Sequence, residues 1–203
     1  MPPYISIGGY SDPPRMPYLS VEVGKGEMVA ITGPPGSGKS NLIKSMAGIR
    51  GFAKGSIKIL GSRAGTLRSR QNTVFVFQNW NFMPDLTIRA QLERKAALLR
   101  GVPVRDVRLD LDRWGDDHGL LKGLDSYPRQ LNRSQLQMLS LAPLALCRPA
   151  VAVLDEPMTN LSSLMVSSAL EVILSILEHG AVLVLCHGRS PAAGRADRLV
   201  NLA

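Results

Sequence analysis

At 203 residues the chain has room for one α/β domain with an attached subdomain, and 45% hydrophobic residues supply a core, which excludes a mainly disordered state. Lysine and arginine number 24 against 16 aspartates and glutamates, leaving a net charge of +8. That surplus suits nucleotides, nucleic acid or an anionic membrane face, and equally a merely solvated basic surface. The basic residues read as scattered, with a modest concentration from Arg63 to Arg70, and no stretch with interleaved aromatics asks for nucleic acid. Cys147 and Cys186 have no second Cys or His at ligand spacing, so neither zinc nor a disulfide framework is expected. The first residues carry no basic stretch followed by an apolar run, and no window is long and apolar enough to cross a bilayer. The expectation is a soluble chain with reduced thiols that reaches any membrane through a partner.

In chain order, residues 4–7 and 19–23 alternate in part and read as two strands near a sheet edge, separated by a Gly/Pro-rich stretch. Tyr10 stands between them. Its ring is a candidate platform for a nucleobase, with Tyr4 and Tyr18 as rivals and ordinary packing as the competing role. Residues 28–31 form an apolar strand, and Gly33-Pro34-Pro35-Gly36-Ser37-Gly38-Lys39-Ser40 follows directly, filling the pattern G-x-x-x-x-G-K-[ST] ahead of helical sequence from Asn41. Glycines let successive N–H groups turn inward, and the positive end of the following helix adds to them, so the loop cradles a polyphosphate. Lys39 reaches the terminal phosphates, and Ser40 offers a hydroxyl to Mg²⁺.

Residues 55–61 and 74–77 read as further strands. Gln78 lies just past the second, where open α/β sheets bind ligands, and could touch Mg²⁺ or an attacking water. From Thr87 the pattern turns helical, with Leu92, Ala96 and Leu99 on one face and Arg89, Glu93, Arg94 and Lys95 on others. Pro103 and the polar run from Arg105 to Asp117 are expected to break this helix. Asp116, Asp117 and His118 read as a solvated loop, with metal binding as the alternative. A third helix is expected over 134–146, kinked or shortened at Pro143. Residues 151–154 form a buried strand, and Asp155-Glu156 follows it. An Asp there can hold Mg²⁺ beside a phosphate loop, and the adjacent Glu can polarise water for in-line attack. A helix over 166–177, a buried strand over 181–185 and a last strand over 198–202 complete the chain, with His187 just past the buried strand. Three strands thus deliver Gln78, Asp155 and His187 to one sheet edge.

Taken together, Gly33 to Ser40, Gln78, residues 127–137, residues 151–157 and His187 resemble the ATP-binding cassette (ABC) ATPases across essentially the whole chain. Residues 27–33, 76–79 and 83–87 resemble the branch serving macrolide exporters and lipoprotein-releasing complexes. The resemblance implies an α/β phosphate-loop NTPase fold of the ABC kind, with a mainly parallel core sheet, an N-terminal antiparallel β subdomain and a helical subdomain. Residues 1–86 and 147–203 would form the nucleotide-binding core, and 87–146 the helical subdomain. It implies ATP and Mg²⁺ as cofactors. Gly33 to Ser40 and Asn41 would surround the phosphates. Ser40, Gln78 and Asp155 would serve the metal, and Glu156, His187, Lys39 and Gln78 the chemistry. It further implies a head-to-tail dimer with a second cassette, and transmembrane permease subunits at the cytoplasmic face of the membrane. Export or extraction is the expected direction, and no nucleic acid is expected.

The departures from the family pattern cluster. Its signature, Leu-Ser-Gly-Gly-Gln, appears as Leu131-Asn132-Arg133-Ser134-Gln135, of which Asn132, Ser134 and Gln135 would face a partner's ATP. Arg133 replaces a glycine whose bare backbone permits close approach. Met138 stands where the family has a basic residue, Pro143 where it has a helical arginine, and Leu161-Ser162 where Leu-Asp is usual. The residues for this chain's own ATP are thus intact, and those lent to the opposite site are eroded. That division favours a heterodimer with one working site. The alternatives are an ATP-sensing regulatory cassette with little turnover and a non-transport ABC ATPase acting on nucleic acid.

Overall fold

The computed structural model describes residues 2–52 and 54–202, which form two compact units. The first comprises residues up to Gln78, Pro149–Pro157 and those from Ile176 on, and holds both sheets. The second comprises Asn79–Arg148 and Met158–Ser175 and is helical. It therefore includes residues 158–175, which the sequence-based division places with the core.

Strands β1 (Ile5–Asp12), β2 (Met16–Val23), β4 (Lys54–Ile59) and β5 (Ser62–Arg63) make a four-stranded antiparallel sheet in the order β2-β1-β4-β5. Alternation decides its buried face. Ile5 pairs with Val23 on one side and Ile59 on the other, and Ile7 with Val21 and Ile57, so two rows of branched side chains enter the core. The two N-terminal strands lie near an edge, β2 forming it and β1 pairing beside it, but β1 runs on through the glycines to Asp12. A register shift after Ile7, with Gly9 at φ 60°, gives the bulge that lets pairing resume at Tyr10.

Strands β3 (Met28–Thr32), β6 (Thr73–Val76), β7 (Val151–Asp155), β8 (Ala181–Cys186) and β9 (Arg198–Asn201) form a parallel sheet in the order β6-β7-β8-β3-β9. Every residue of β3, β7 and β8 is buried, as continuous apolar runs in a parallel sheet require. Helix α1 (Lys39–Met46) packs against β7 and β8 through Leu42, Ile43 and Met46, and the single turn α2 (Leu67–Arg70) is capped by the Thr66 hydroxyl.

In the helical unit, α3 (Ile88–Arg100) starts where the Thr87 hydroxyl accepts from the Ala90 N–H and ends at left-handed Gly101. Helix α3 does end ahead of Pro103, but the polar run after it is itself helical. It forms α4 (Val104–Asp117), with Pro103 at its N-cap and Asp106 in its first turn. Val107, Leu111 and Trp114 recur at helical spacing and are buried, a stripe hidden in the sequence by the charges around it. Leu111→Ala is expected to cost about 2–5 kcal/mol in denaturant melts, whereas Leu109→Ala, on the exposed side, should be nearly silent. Equal effects would mean the stripe is misread.

Helix α4 also corrects the reading of Glu93. Expected on a solvated face, it is buried and accepts from Arg108 at 2.9 Å, with Arg89 nearby. His118 caps α4, its Nδ1 2.7 Å from the Trp114 carbonyl oxygen and its ring stacked on Trp114. A short helix α5 (Leu121–Leu124) follows. Helix α6 (Arg133–Cys147) carries Pro143 inside it, because burial of Leu139, Leu141 and Leu144 on both sides outweighs the missing N–H. Helix α7 (Ser163–Leu174) then leads into a 3-10 turn at Ser175–Glu178.

Candidate functional site

The phosphate loop leaves the end of β3 and turns into α1 with Gly36 at φ 84° and Gly38 at φ 93°. Gly38 is the N-cap of α1 and offers no side chain to it, so the helix's positive end is not capped from within. A Cβ on Gly38 would also stand a tight 3.2 Å from Met16 Cβ, which adds to the backbone angle in favouring glycine. Lys39 is buried and folded onto its own loop. Its Nζ donates to the Gly33 carbonyl at 2.7 Å, the Pro34 carbonyl at 3.0 Å and Ser37 Oγ at 3.2 Å. All three ammonium donors are used, and an arriving polyphosphate would take over some of these contacts.

Asp155 ends β7 with 2% exposure, and its Oδ1 has no hydrogen-bond partner. Burial pushes its carboxyl above the usual carboxylate range. A hydrogen bond with Ser40 pulls the other way, and the neighbouring Glu156 charge raises it further. A buried carboxylate oxygen without a partner, beside a serine hydroxyl, is an all-oxygen donor set of the kind Mg²⁺ takes.

Glu156 follows in the left-handed region at φ 49°, and its N–H donates to the Leu185 carbonyl at 2.8 Å. Such a backbone costs a residue other than glycine on the order of 1 kcal/mol or more, and occurs where the surroundings dictate it. Because Asp155 is in register with Leu185, β7 and β8 end side by side. His187 Nε2 lies 4.0 Å from Glu156 Oε2. Strand β8 runs between β7 and β3, so His187 emerges between the acidic pair and the phosphate loop. Lys39, Ser40, Asp155, Glu156 and His187 thus share one edge of the parallel sheet. Gln78 is exposed two residues past β6, on the far side of β7 at that edge.

Tyr10 does not take its expected place. Its ring is fully buried, tilted against Phe52 with centroids 5.4 Å apart, and its hydroxyl lies 3.4 Å from Ser45 Oγ. The bulge at Gly9 turned the side chain inward, so no ring face is open to a base. Tyr18 is exposed instead and its hydroxyl accepts from Ser20, while Tyr4 packs against the core. Asn41 donates to Asp12 Oδ2 at 2.8 Å, and Arg50 donates to Asp12 Oδ1. Asp12, absent from the sequence reading, therefore ties the β1–β2 turn to the helix carrying the phosphate loop. Nothing local announces a contact between residues 29 apart.

In the helical unit, Asn132 and Gln135 cap α6 reciprocally, each side-chain oxygen accepting from the other's N–H, at 2.9 and 3.0 Å. Ser134 Oγ accepts from the Ser162 N–H at 2.9 Å and donates to the Met165 sulfur. Arg133 is exposed at the first turn of α6.

A phosphate loop, a buried Asp-Glu strand end and a histidine from the strand between them define a phosphate-loop nucleotide-binding domain. A family profile described as ABC transporter matches residues 17–159, and the chain belongs to that family, as one of its ATP-binding domains. The L-cystine transport system ATP-binding protein TcyN of Escherichia coli K12 is 30% identical over 194 residues, covering 90% of this chain and 78% of that protein. The sn-glycerol-3-phosphate import ATP-binding protein UgpC of Paracoccus denitrificans is 30% identical over 185 residues, covering 90% and 52%. The chain spans about half the length of this and several other curated relatives. Among solved structures, an ATP-binding subunit of an ABC transporter superposes with a TM-score of 0.85 at 23% identity, covering 98% of this chain and 85% of that one. The ATP-binding cassette MJ0796, a dimer in a post-hydrolysis state with ADP and Pi, superposes at 0.79 with 21% identity, covering 97% and 93%. These likenesses confirm the α/β fold of the ABC cassettes. One relative is named for import and none of these for export, so the export direction expected from the sequence finds no support.

Proposed function

We propose that the chain binds and hydrolyses Mg-ATP as the nucleotide-binding subunit of an ABC transporter, and that closure and reopening of a cassette dimer move partner permease subunits. The observation that carries this is the convergence of Lys39, Ser40, Asp155, Glu156 and His187 on one sheet edge. The loop amides and Lys39 hold the terminal phosphates. Ser40 and Asp155 would hold Mg²⁺, which would supply neutralising charge at the phosphates. Glu156 accepts the proton of the attacking water, and His187 steadies both the Glu156 carboxylate and charge gathering on the γ-phosphate. Gln78, exposed past β6, would answer to the permease side. No helix among the described residues is long and apolar enough to cross a membrane, so on this reading the chain works at the cytoplasmic face through its partners.

A second reading, an ATP sensor with little turnover, is favoured by one feature. The Asn132, Ser134 and Gln135 side chains are engaged in hydrogen bonds within their own unit, and Arg133 is exposed without such a bond among the described residues. Both readings agree that this chain is a poor donor of a signature sequence, which makes a heterodimer the working form. Phosphate release should therefore be slow for the purified chain alone and rise at least about tenfold on adding a cassette with an intact signature. Rapid turnover by the chain alone overturns the asymmetric pair, and failure to bind Mg-ATP overturns the nucleotide site itself.

A further inference from the structure

The basic surplus that reads as scattered is confined to one segment. Between Met28 and Pro84 the chain has Lys39, Lys44, Arg50, Lys54, Lys58, Arg63, Arg68 and Arg70 and no Asp or Glu, so these residues match the whole net charge of +8. Nucleotide chemistry uses Lys39, and Asp12 takes Arg50. The others have no such employment.

Lys54, Lys58 and Arg63 border one stretch of this sheet. Ser56 and Lys58 are exposed on β4 where Ile57 and Ile59 are buried, Lys54 is exposed before the bend at Gly55, and Arg63 on β5 stands directly across from Lys58. Like charges directly opposite in an antiparallel pair are destabilising. No carboxylate among the described residues forms an ion pair with any of the three. They border a cavity of about 440 Å³ on this sheet, within the size range of small-ligand sites. Gly51 leaves part of its lining bare, Ser56 adds a hydroxyl, and the partly buried Phe52 gives it an apolar wall.

We propose that this cavity binds a phosphate ester with a small apolar or aromatic portion, its phosphate held by Lys54, Lys58 and Arg63 and its apolar part laid against Phe52. The guanidinium fork of Arg63 matches two phosphate oxygens, and the ammonium groups supply point charges beside it. A dianion there turns the Lys58–Arg63 repulsion into attraction. The ligand can be a free metabolite or a lipid headgroup, since the recognised chemistry is the same.

The test is calorimetric titration of phenyl phosphate into the full chain saturated with Mg-ADP, which keeps the phosphate loop occupied. The Mg-ADP heat is recorded first, so that failure of the nucleotide site registers separately. Binding is expected and should weaken several-fold as salt rises to about 0.5 M. The double variant Lys58→Gln/Arg63→Gln should lower the affinity at least about tenfold, whereas Arg68→Gln/Arg94→Gln, which removes the same net charge elsewhere, should leave it within twofold. In a parallel arm the chain is sedimented with phosphatidylcholine vesicles with and without phosphatidic acid, whose headgroup is a phosphate monoester. Capture that needs phosphatidic acid and is lost in the first double variant makes the ligand a lipid headgroup. Phenyl phosphate binding without capture makes it a free ester. Neither binding nor capture, or equal loss in both double variants, overturns the proposal.

Discussion

Glu156→Gln is expected to lower ATP turnover by about 10²–10⁴-fold, the usual worth of a positioned general base, while nucleotide affinity stays within a few-fold of wild type. The amide keeps the size and backbone of Glu156 and its N–H contact with the Leu185 carbonyl, and loses the carboxylate charge and with it the ability to take a proton. The measurement is steady-state phosphate release by the chain with its partner cassette, beside nucleotide binding at equilibrium. Unchanged turnover would remove Glu156 from the chemistry and favour the sensor reading. A companion variant separates side chain from backbone. At φ 49° the position suits glycine, so Glu156→Gly should be as inactive as Glu156→Gln but more stable than it by about 1 kcal/mol, roughly 2–4 °C in a thermal melt. A lower melting temperature than that of Glu156→Gln would mean the left-handed backbone is not strained there.

How much of this was legible in the sequence depends on how far apart the partners lie. The placement of the phosphate loop and of the Asp155-Glu156 pair at strand ends was readable because residue type and strand context point the same way, and the parallel core followed from its apolar runs. Helix α4 was missed because its buried stripe of Val107, Leu111 and Trp114 is thin among charges, and because Pro103 reads as a breaker although at an N-cap it costs nothing. Tyr10 reads as standing between two strands because glycines surround it, whereas β1 continues through a bulge at Gly9 that turns the ring inward, which leaves packing, the competing role, as the one the structure shows. Asp12 with Asn41, and Lys58 with Arg63, are matters of pairing and register. The charge surplus was visible from the start. What the sequence lacked was the sheet that brings three of its members around one cavity.

The largest effect expected at the metal site comes from Asp155→Asn, and its sign differs between the empty and the loaded protein. Burial and the nearby Glu156 hold the Asp155 carboxyl above its ordinary value, more than the Ser40 hydrogen bond lowers it. The folded chain therefore binds this proton more tightly than the unfolded chain does. The residue's contribution to stability is most favourable below the ordinary carboxylate range, falls as pH rises through the raised value, and stays low at neutral pH. Removing the charge should flatten that slope. At neutral pH the nucleotide-free variant should melt higher than wild type by about 1 kcal/mol, because a buried carboxylate oxygen without a partner no longer has to be ionised. With Mg-ATP the order reverses. An amide is a poorer ligand for a hard cation, so turnover should fall on the order of 100-fold, about 3 kcal/mol. The melting increment that wild type gains from Mg²⁺ over metal-free nucleotide should largely vanish. A variant that melts like wild type when empty and gains the same increment from Mg²⁺ would show that Oδ1 does not serve the cation. The loss of stability that Asp155 imposes on the empty site would then have no function to explain it.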